Sequence, residues 1–276
     1  MTGNIKWLFA SAMLLATSNA FSQGSGSNSL NINSKPVIDK SKLIKKPKPL
    51  RTELSGGVRL NSDGWGVFVD KGWVRSEDRY SDLFYNIRLL QIEFGEHKHP
   101  KETKRNSRLS TNTNANPAPY IFGKINNFYT FKVGYGNRKL IAGKPEPGTV
   151  SVHWVYLGGI CLGMAKPYYI EVVSPATSAV ETLKYSDARK NEFINDNNII
   201  GSAGFSQGLG EMQYIPGIHF KTALHFDFAA NKHGKIAIET GANVEYYTSP
   251  IALMVEQKDV PYFINVYAAL QFGRRW

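Results

Sequence analysis

The sequence predicts an all-β chain folded as an antiparallel, up-and-down transmembrane β-barrel of about eight strands. Three observations lead there. From residue 51 onward, apolar and polar residues alternate in stretches bounded by Gly, Pro, Asn and Asp, the period of a sheet with two unlike faces. No sustained helical period follows the first residues, and no apolar run is long enough to span a bilayer as a helix. The non-apolar face carries charges of both signs among Gly and Ala. A small closed barrel can turn such a face toward its lumen while the apolar row meets hydrocarbon. Backbone groups in hydrocarbon must all be paired, so the strands have to close on themselves.

Residues 1–20 have the form of an export signal. Lys6 gives the positive start, Trp7 to Leu15 the apolar stretch, and Ser18 with Ala20 the small residues before a cut after Ala20. No cysteine follows that cut, so no lipoprotein anchor is expected. The one cysteine, Cys161, rules out an intramolecular disulfide and a cysteine-based zinc cluster, and fits a small apolar strand position. Residues 21–50 run from Ser, Gly and Asn into Lys and Pro, a composition that cannot bury a core, and are expected to form a mobile basic leader. The barrel is expected over 51–276. The formal charge of +11 becomes +10 once Lys6 is lost with the signal. A positive envelope protein calls for anionic neighbours such as lipid phosphates; export makes nucleic acid an improbable partner. The mean hydropathy of −0.30 argues against a helical membrane bundle and leaves an alternating barrel open.

Eight strands are expected near 52–61, 64–72, 83–97, 122–140, 150–172, 215–230, 235–249 and 261–275. In the first, Leu54, Val58 and Leu60 oppose Glu53, Ser55 and Arg59. In the second, Trp65, Val67 and Val69 share a row. The third alternates through Tyr85, Ile87 and Leu89, then changes phase to Leu90, Ile92 and Phe94, which suggests a bulge. The fourth sets Tyr129, Phe131, Val133 and Tyr135 against Thr130, Lys132, Gly134 and Gly136. The fifth sets Val152, Trp154, Tyr156, Ile160, Leu162 and Met164 against His153, Gly159 and Gly163. The last three are the most regular. Ile218, Phe220, Leu224 and Phe226 oppose His219, Lys221, His225 and Asp227. Ile236, Ile238, Val244 and Tyr246 oppose Glu239, Asn243 and Glu245. Tyr262, Ile264, Val266, Ala268, Leu270 and Phe272 oppose Asn265, Ala269 and Gln271.

The connections alternate in length. Short ones at 74–82, 142–149 and 230–235 fall on one side, periplasmic if the leader is. Those at 61–64, near 97–120, near 174–214 and at 249–260 fall on the other, which therefore holds both of the longest. Aromatics gather at strand ends, at the height of lipid headgroups: Tyr246 and Tyr247, Tyr262 and Phe263, Phe226 and Phe228, Phe272 and Trp276.

With these features in view, the chain resembles small eight-stranded outer-membrane β-barrel proteins of bacteria. The signal, the alternating strands and the closing "NVYAALQFGRRW" carry the resemblance. In that family a final aromatic with apolar residues at every second position before it is similar to the signal read by the barrel-assembly machinery. Here Val266, Ala268, Leu270, Phe272 and Trp276 match, and Arg274 departs by its charge. "GWGVFVDKGW", "FGEHKHPKE" and "GKINNFYTFKVGYG" look like an uncharacterised group from Bacteroidetes-type bacteria. The resemblance implies residence in the outer membrane and no defined activity.

The candidate chemistry lies on the lumen face: Glu53, Arg59, Arg88, Glu93, Lys132, His219, Lys221, His225, Asp227, Glu239 and Glu245. His219, His225 and Asp227 share one strand row beside Glu239 and Glu245. A His–carboxylate pair could act as a general base, but no neighbouring serine nucleophile accompanies it, and lumen ion pairs are the expected role. His97 and His99 could face one cation, yet Lys98, Lys101, Lys104, Arg105 and Arg108 surround them. A solvated basic loop touching lipopolysaccharide phosphates is the expectation there. The glycine-rich 201–211 lacks the lysine and the strand–helix frame of a phosphate loop and is expected to be a mobile external loop. No catalytic residue, cofactor or metal is assigned. The expected role is structural, adhesive or surface-interacting through the long external loops, whose ligand the sequence does not identify. A lipid-modifying enzyme and a narrow channel are the alternatives. Outer-membrane lipids, lipopolysaccharide and the assembly machinery are the expected partners.

Overall fold

A computed structural model describes residues 52–74, 86–107, 118–143, 149–174, 178–228 and 234–276. The export signal, the leader, Tyr85, Arg108 and most of the three short connections lie outside the described residues. In chain order the strands are β1 (Thr52–Asn61), β2 (Gly64–Val74), β3 (Asn86–His97), β4 (Lys104–Arg105), β5 (Tyr120–Ile121), β6 (Asn126–Ala142), β7 (Val150–Pro167), β8 (Tyr169–Val173), β9 (Val180–Lys184), β10 (Ile199–Ser202), β11 (Gln213–Phe228), β12 (Gly234–Ile251) and β13 (Val260–Arg275).

Eight of these, β1, β2, β3, β6, β7, β11, β12 and β13, form a closed antiparallel barrel in which each strand pairs with its neighbours in the chain. The seam joins β1 to β13, with Leu54 opposite Arg274 and Leu60 opposite Ala268. Beyond it, Thr52 and Trp276 exchange both backbone hydrogen bonds at 3.0 Å. One hydrogen-bonded row can be followed from Arg274 through Leu54, Lys71, Leu90, Tyr135, Gly158, Phe220 and Val244 to Ile264. The row returns to β13 ten residues from where it began (274 − 264 = 10). Eight strands with that stagger tilt by roughly 40° and leave an interior that side chains can fill.

The polarity of this barrel is reversed relative to a water-soluble one. Val58, Leu60, Val69, Phe220, Ile264, Val266 and Phe272 face outward and are each more than half exposed. Glu53, Arg59, Lys221, His225, Glu239 and Glu245 face inward and are almost wholly buried. The alternation in the sequence produces this, since period-2 side chains fall on opposite sides of every strand. Among the described residues no helix is long and apolar enough to cross a membrane, which says nothing about strands.

Three expectations are corrected. β3 has no bulge: its register runs without a shift from Ile87 to His97 against β2 and from Asn86 to His97 against β6. The phase change in its sequence arises because Ile87 and Leu89 point inward, where they join an apolar lumen cluster with Phe68, Val155, Leu157, Ala223, Tyr267 and Ala269. Arg88, between them, therefore points outward. The strand expected over 150–172 ends at Pro167; Tyr168 turns the chain, and β8 belongs to another sheet.

The third correction concerns the two longest connections. They fold together over one end of the barrel as a cap. A three-stranded sheet in the order β10-β8-β9 and the β4–β5 pair enclose Tyr120, Ile170, Val172, Leu183, Phe193, Ile199 and Val255. Residues 201–211 are built into it. Gly208 adopts φ +80°, and a Cβ there would lie 2.8 Å from the Pro167 carbonyl, so the glycine seats this segment against the end of β7. The 252–259 segment crosses the same mouth: Ile125 N–H donates to Leu253 O and Val255 N–H to Gly123 O, both at 2.8 Å.

Candidate functional site

The lumen is the most polar interior of the molecule, and it is arranged in three tiers. At the uncapped end, Glu53 opens β1 and is wholly buried. It accepts from Arg138 and from Lys235 Nζ at 3.2 Å, and Arg275 Nε lies 3.5 Å away. Arg275 also pairs with Asp227. In the middle tier Glu239 accepts from Tyr267 Oη at 2.7 Å, Lys221 Nζ at 3.0 Å and His225 Nδ1 at 3.1 Å. Lys221 also reaches Gln91 at 2.8 Å, and the amides of Gln91 and Gln271 both donate to Asp70. Arg59 pairs with Glu93 and lies 4.2 Å from the Tyr267 ring centroid and 5.0 Å from that of Phe68. In the capped tier Lys132 bridges Glu93 and Glu245 at 2.7 Å each. Glu245 also accepts from Tyr247 Oη at 2.6 Å and Asn243 Nδ2 at 2.7 Å.

Above this tier the mouth is closed by rings. His97, Phe128, Tyr247 and Phe263 pack with centroids 4.7–6.1 Å apart. They have room because strand residues beneath them lack side chains: a Cβ on Gly163 would lie 2.6 Å from Phe128 and 2.9 Å from Tyr247. His97 sits between carboxylates, Nδ1 2.8 Å from Asp63 and Nε2 3.1 Å from Glu245, a setting both N–H groups of an imidazolium satisfy.

Each predicted lumen residue can now be located. Glu53, Arg59, Glu93, Lys132, His219, Lys221, His225, Asp227, Glu239 and Glu245 are buried inside the barrel. Arg88 is exposed on the outer wall because the alternation through β3 is unbroken. His97, expected in a solvated loop, instead ends β3 and is 2% exposed, inside the lumen. Extending the period from Glu93 through Gly95 would have found it. The same extension from Lys132 finds Arg138. Lys235 and Arg275 escaped because they sit beside turn residues and a terminal basic pair, where alternation has too few neighbours to be read.

The His–carboxylate pair does not resemble a catalytic base. Arg138 Nη1 lies 3.3 Å from His225 Nε2, and since arginine only donates, the ring carries its proton on Nδ1 and gives it to Glu239. Both nitrogens are thus occupied, and the ring is fully buried. His219 faces the Val133 carbonyl at 3.4 Å.

The basic loop is exposed at Lys98, Lys104 and Arg105. Part of its charge is paired, however, and Lys101 is held by a neutral amide. Lys98 lies 3.6 Å from Glu96, Arg105 3.4 Å from Asp196, and Lys101 reaches Gln257 at 2.9 Å. Elsewhere on the cap Lys124 pairs with Glu102, Lys190 with Glu256, Arg189 with Glu181 and Glu192, and Lys184 with Glu211. The Lys184 ammonium, hydrogen-bonded to Glu211, holds that carboxyl below the usual range, and Glu211 in turn raises Lys184.

In the predicted assembly segment, Val266, Ala268, Leu270, Phe272 and Trp276 form one outward row on β13 and its last residue, with Arg274 on the same side.

Fold and lumen together define a class: a closed eight-stranded barrel, apolar outside, ionic inside and capped at one end. No protein-family model matches the chain, and no curated protein matches its sequence. Solved structures of similar shape include the N-terminal β-barrel domain of OprF from Pseudomonas aeruginosa, at 8% identity and a TM-score of 0.33 over 82% of this chain and 98% of that one. Neisserial surface protein A aligns at 9% identity and a TM-score of 0.33 over 82% and 96%. Ail, the attachment invasion locus protein of Yersinia pestis, aligns at 13% identity and a TM-score of 0.35 over 82% and 99%.

Proposed function

We propose that this chain is an outer-membrane β-barrel protein with a structural, adhesive or surface-interaction role, in which a plugged barrel anchors a folded cap outside the cell. One observation carries the reading: the barrel wall is apolar on its outer face, while ion pairs and aromatic rings fill its lumen. Such a wall is stable only against hydrocarbon, and such a lumen holds the barrel rigid without passing solute. The cap, built from the longest connections, is the part available to partners. The segment at 1–20 would deliver the chain for export. The outward row from Val266 to Trp276 would serve recognition by the assembly machinery. Kinship with the Bacteroidetes-type group belongs to the same proposal.

The test is fractionation of cells expressing the full chain. Association with outer membranes that resists carbonate, together with faster gel migration of unheated than of heated protein, is the expected result. Recovery in the soluble periplasmic fraction would overturn the proposal.

A further inference from the structure

Among the described residues of the barrel strands, charge on the outer wall lies toward the two ends, and the two ends differ in sign. Among the described barrel-strand residues, the exposed outward-pointing bases are Lys71, Arg88, Lys139 and Arg274. All four lie toward the uncapped end. The outward carboxylate is Glu96, at the capped end, where Trp65 Nε1 donates to it at 2.8 Å.

The register puts the four bases on one arc. Arg274 and Lys71 both stand opposite Leu54. Lys71 faces Leu90, two residues above Arg88 on β3, and Arg88 faces Asn137, two residues above Lys139 on β6. The hydrogen-bonded row climbs ten residues per circuit of eight strands, so a drop of one to two residues per strand holds a constant height. Lys71, Arg88 and Lys139 follow that drop. Trp73, opposite Arg88, and Trp154, opposite Lys139, lie among them. Lys71 lies 5.4 Å from the Trp73 ring centroid and Lys139 5.5 Å from that of Tyr156. Interfacial aromatics mark the height of headgroups.

None of the four has an ion-pair partner among the described residues, in contrast to the paired bases of the cap. In the sequence, residues 35–51, which precede β1, carry seven Lys and Arg against one Asp.

We infer that this arc is a binding surface for anionic phospholipid in the leaflet at the uncapped end, the headgroup phosphates meeting Lys71, Arg88, Lys139 and Arg274 while acyl chains lie along the apolar wall above. The inference rests on the proposed membrane-spanning reading. Long basic side chains whose stems cover apolar wall and whose heads reach the interface suit this role.

The experiment reconstitutes the full chain, without its signal, in phosphatidylcholine vesicles doped with brominated phosphatidylglycerol or brominated phosphatidylcholine, and reads tryptophan quenching. Trp73, Trp154 and Trp276 report this end. Phosphatidylglycerol is expected to be favoured about tenfold, with the preference lost in high salt and in the variant Lys71→Gln/Arg88→Gln/Lys139→Gln/Arg274→Gln. The charge-conserving exchange of Lys and Arg at all four sites keeps the preference. So does Lys98→Gln/Lys104→Gln at the cap. Equal quenching by the two lipids in the parent chain, or a preference unchanged in the Gln variant, would overturn the inference. A chain that enters phosphatidylcholine vesicles with heat-modifiable migration yet shows no preference refutes the arc alone. One that does not enter refutes the spanning reading and the arc with it.

Discussion

At the residue scale, the lumen is a set of charges that stabilise only as a set. Glu53 answers Arg138, Lys235 and Arg275 at once. Glu53→Gln leaves three buried cations under-compensated and is expected to lower the unfolding free energy by about 3–5 kcal/mol, read as a fall in the urea midpoint in detergent. Glu211→Gln removes an exposed pair instead and leaves that midpoint unchanged. The Lys184–Glu211 contact has its own pH signature. Glu211 is lowered from 4.5, so its contribution is complete above that value and is lost as the pH falls through the depressed one. Lys184 is raised from 10.5, so its contribution is complete below that value and is lost as the pH rises through the raised one. Protease resistance of the cap near Lys184 should be flat between those limits and drop on either side. A monotonic pH dependence would refute this account.

At the scale of the element, strands and cap draw on different sources of order. A barrel strand is fixed by hydrogen bonds on both edges, so its alternation runs its whole length and can be read from sequence. β11, β12 and β13 show this over 16, 18 and 16 residues. β3 misled because Ile87 and Leu89 are apolar residues on the lumen face, and hydrophobicity alone does not say which side of a barrel a residue occupies. The cap was illegible for another reason. Its strands have two to five residues, too few for a period, and its core draws Tyr120, Leu183, Phe193 and Val255 from separated segments. Phe193→Ala should therefore loosen the cap by about 3–5 kcal/mol, exposing 178–211 to protease, while heat-modifiable migration of the barrel persists. On β13, deletion of Trp276 removes an exposed aromatic and both hydrogen bonds to Thr52. The expected outcome is a reduced yield of barrel in the outer-membrane fraction, with Trp276→Phe near normal. Equal yields from the deletion and the parent would remove Trp276 from any assembly signal.

For the whole molecule, the lumen and the mouth make the same point. Cross-lumen pairs occupy the interior from Glu53 to Glu245, and the ring cluster of Phe128, Tyr247 and Phe263 covers the capped end. In planar bilayers the protein should show no sustained conductance steps; regular steps from the parent chain would mean that the plug opens. How much of this was readable follows from geometry. Closure, strand number and most inward charges follow from period-2 patterning and from the sides on which connections fall. Pairings between distant strands do not, because the stagger of the barrel decides which lumen residues share a tier. That stagger brings His97 to Glu245 across 148 positions, a contact no local pattern announces.

The seam between β1 and β13 has a consequence for how the chain comes to be folded. Its partners, Glu53 and Arg275, stand 222 positions apart, so the pairing that removes the last open edges is also among the most distant in the chain. Until β13 arrives, a growing sheet presents two rows of unsatisfied amides and carbonyls, the surface on which strands of other chains would nucleate. Non-local closure of this kind is slow in solution. The vulnerable period of a barrel built this way lasts as long as delivery of the strands between β1 and β13.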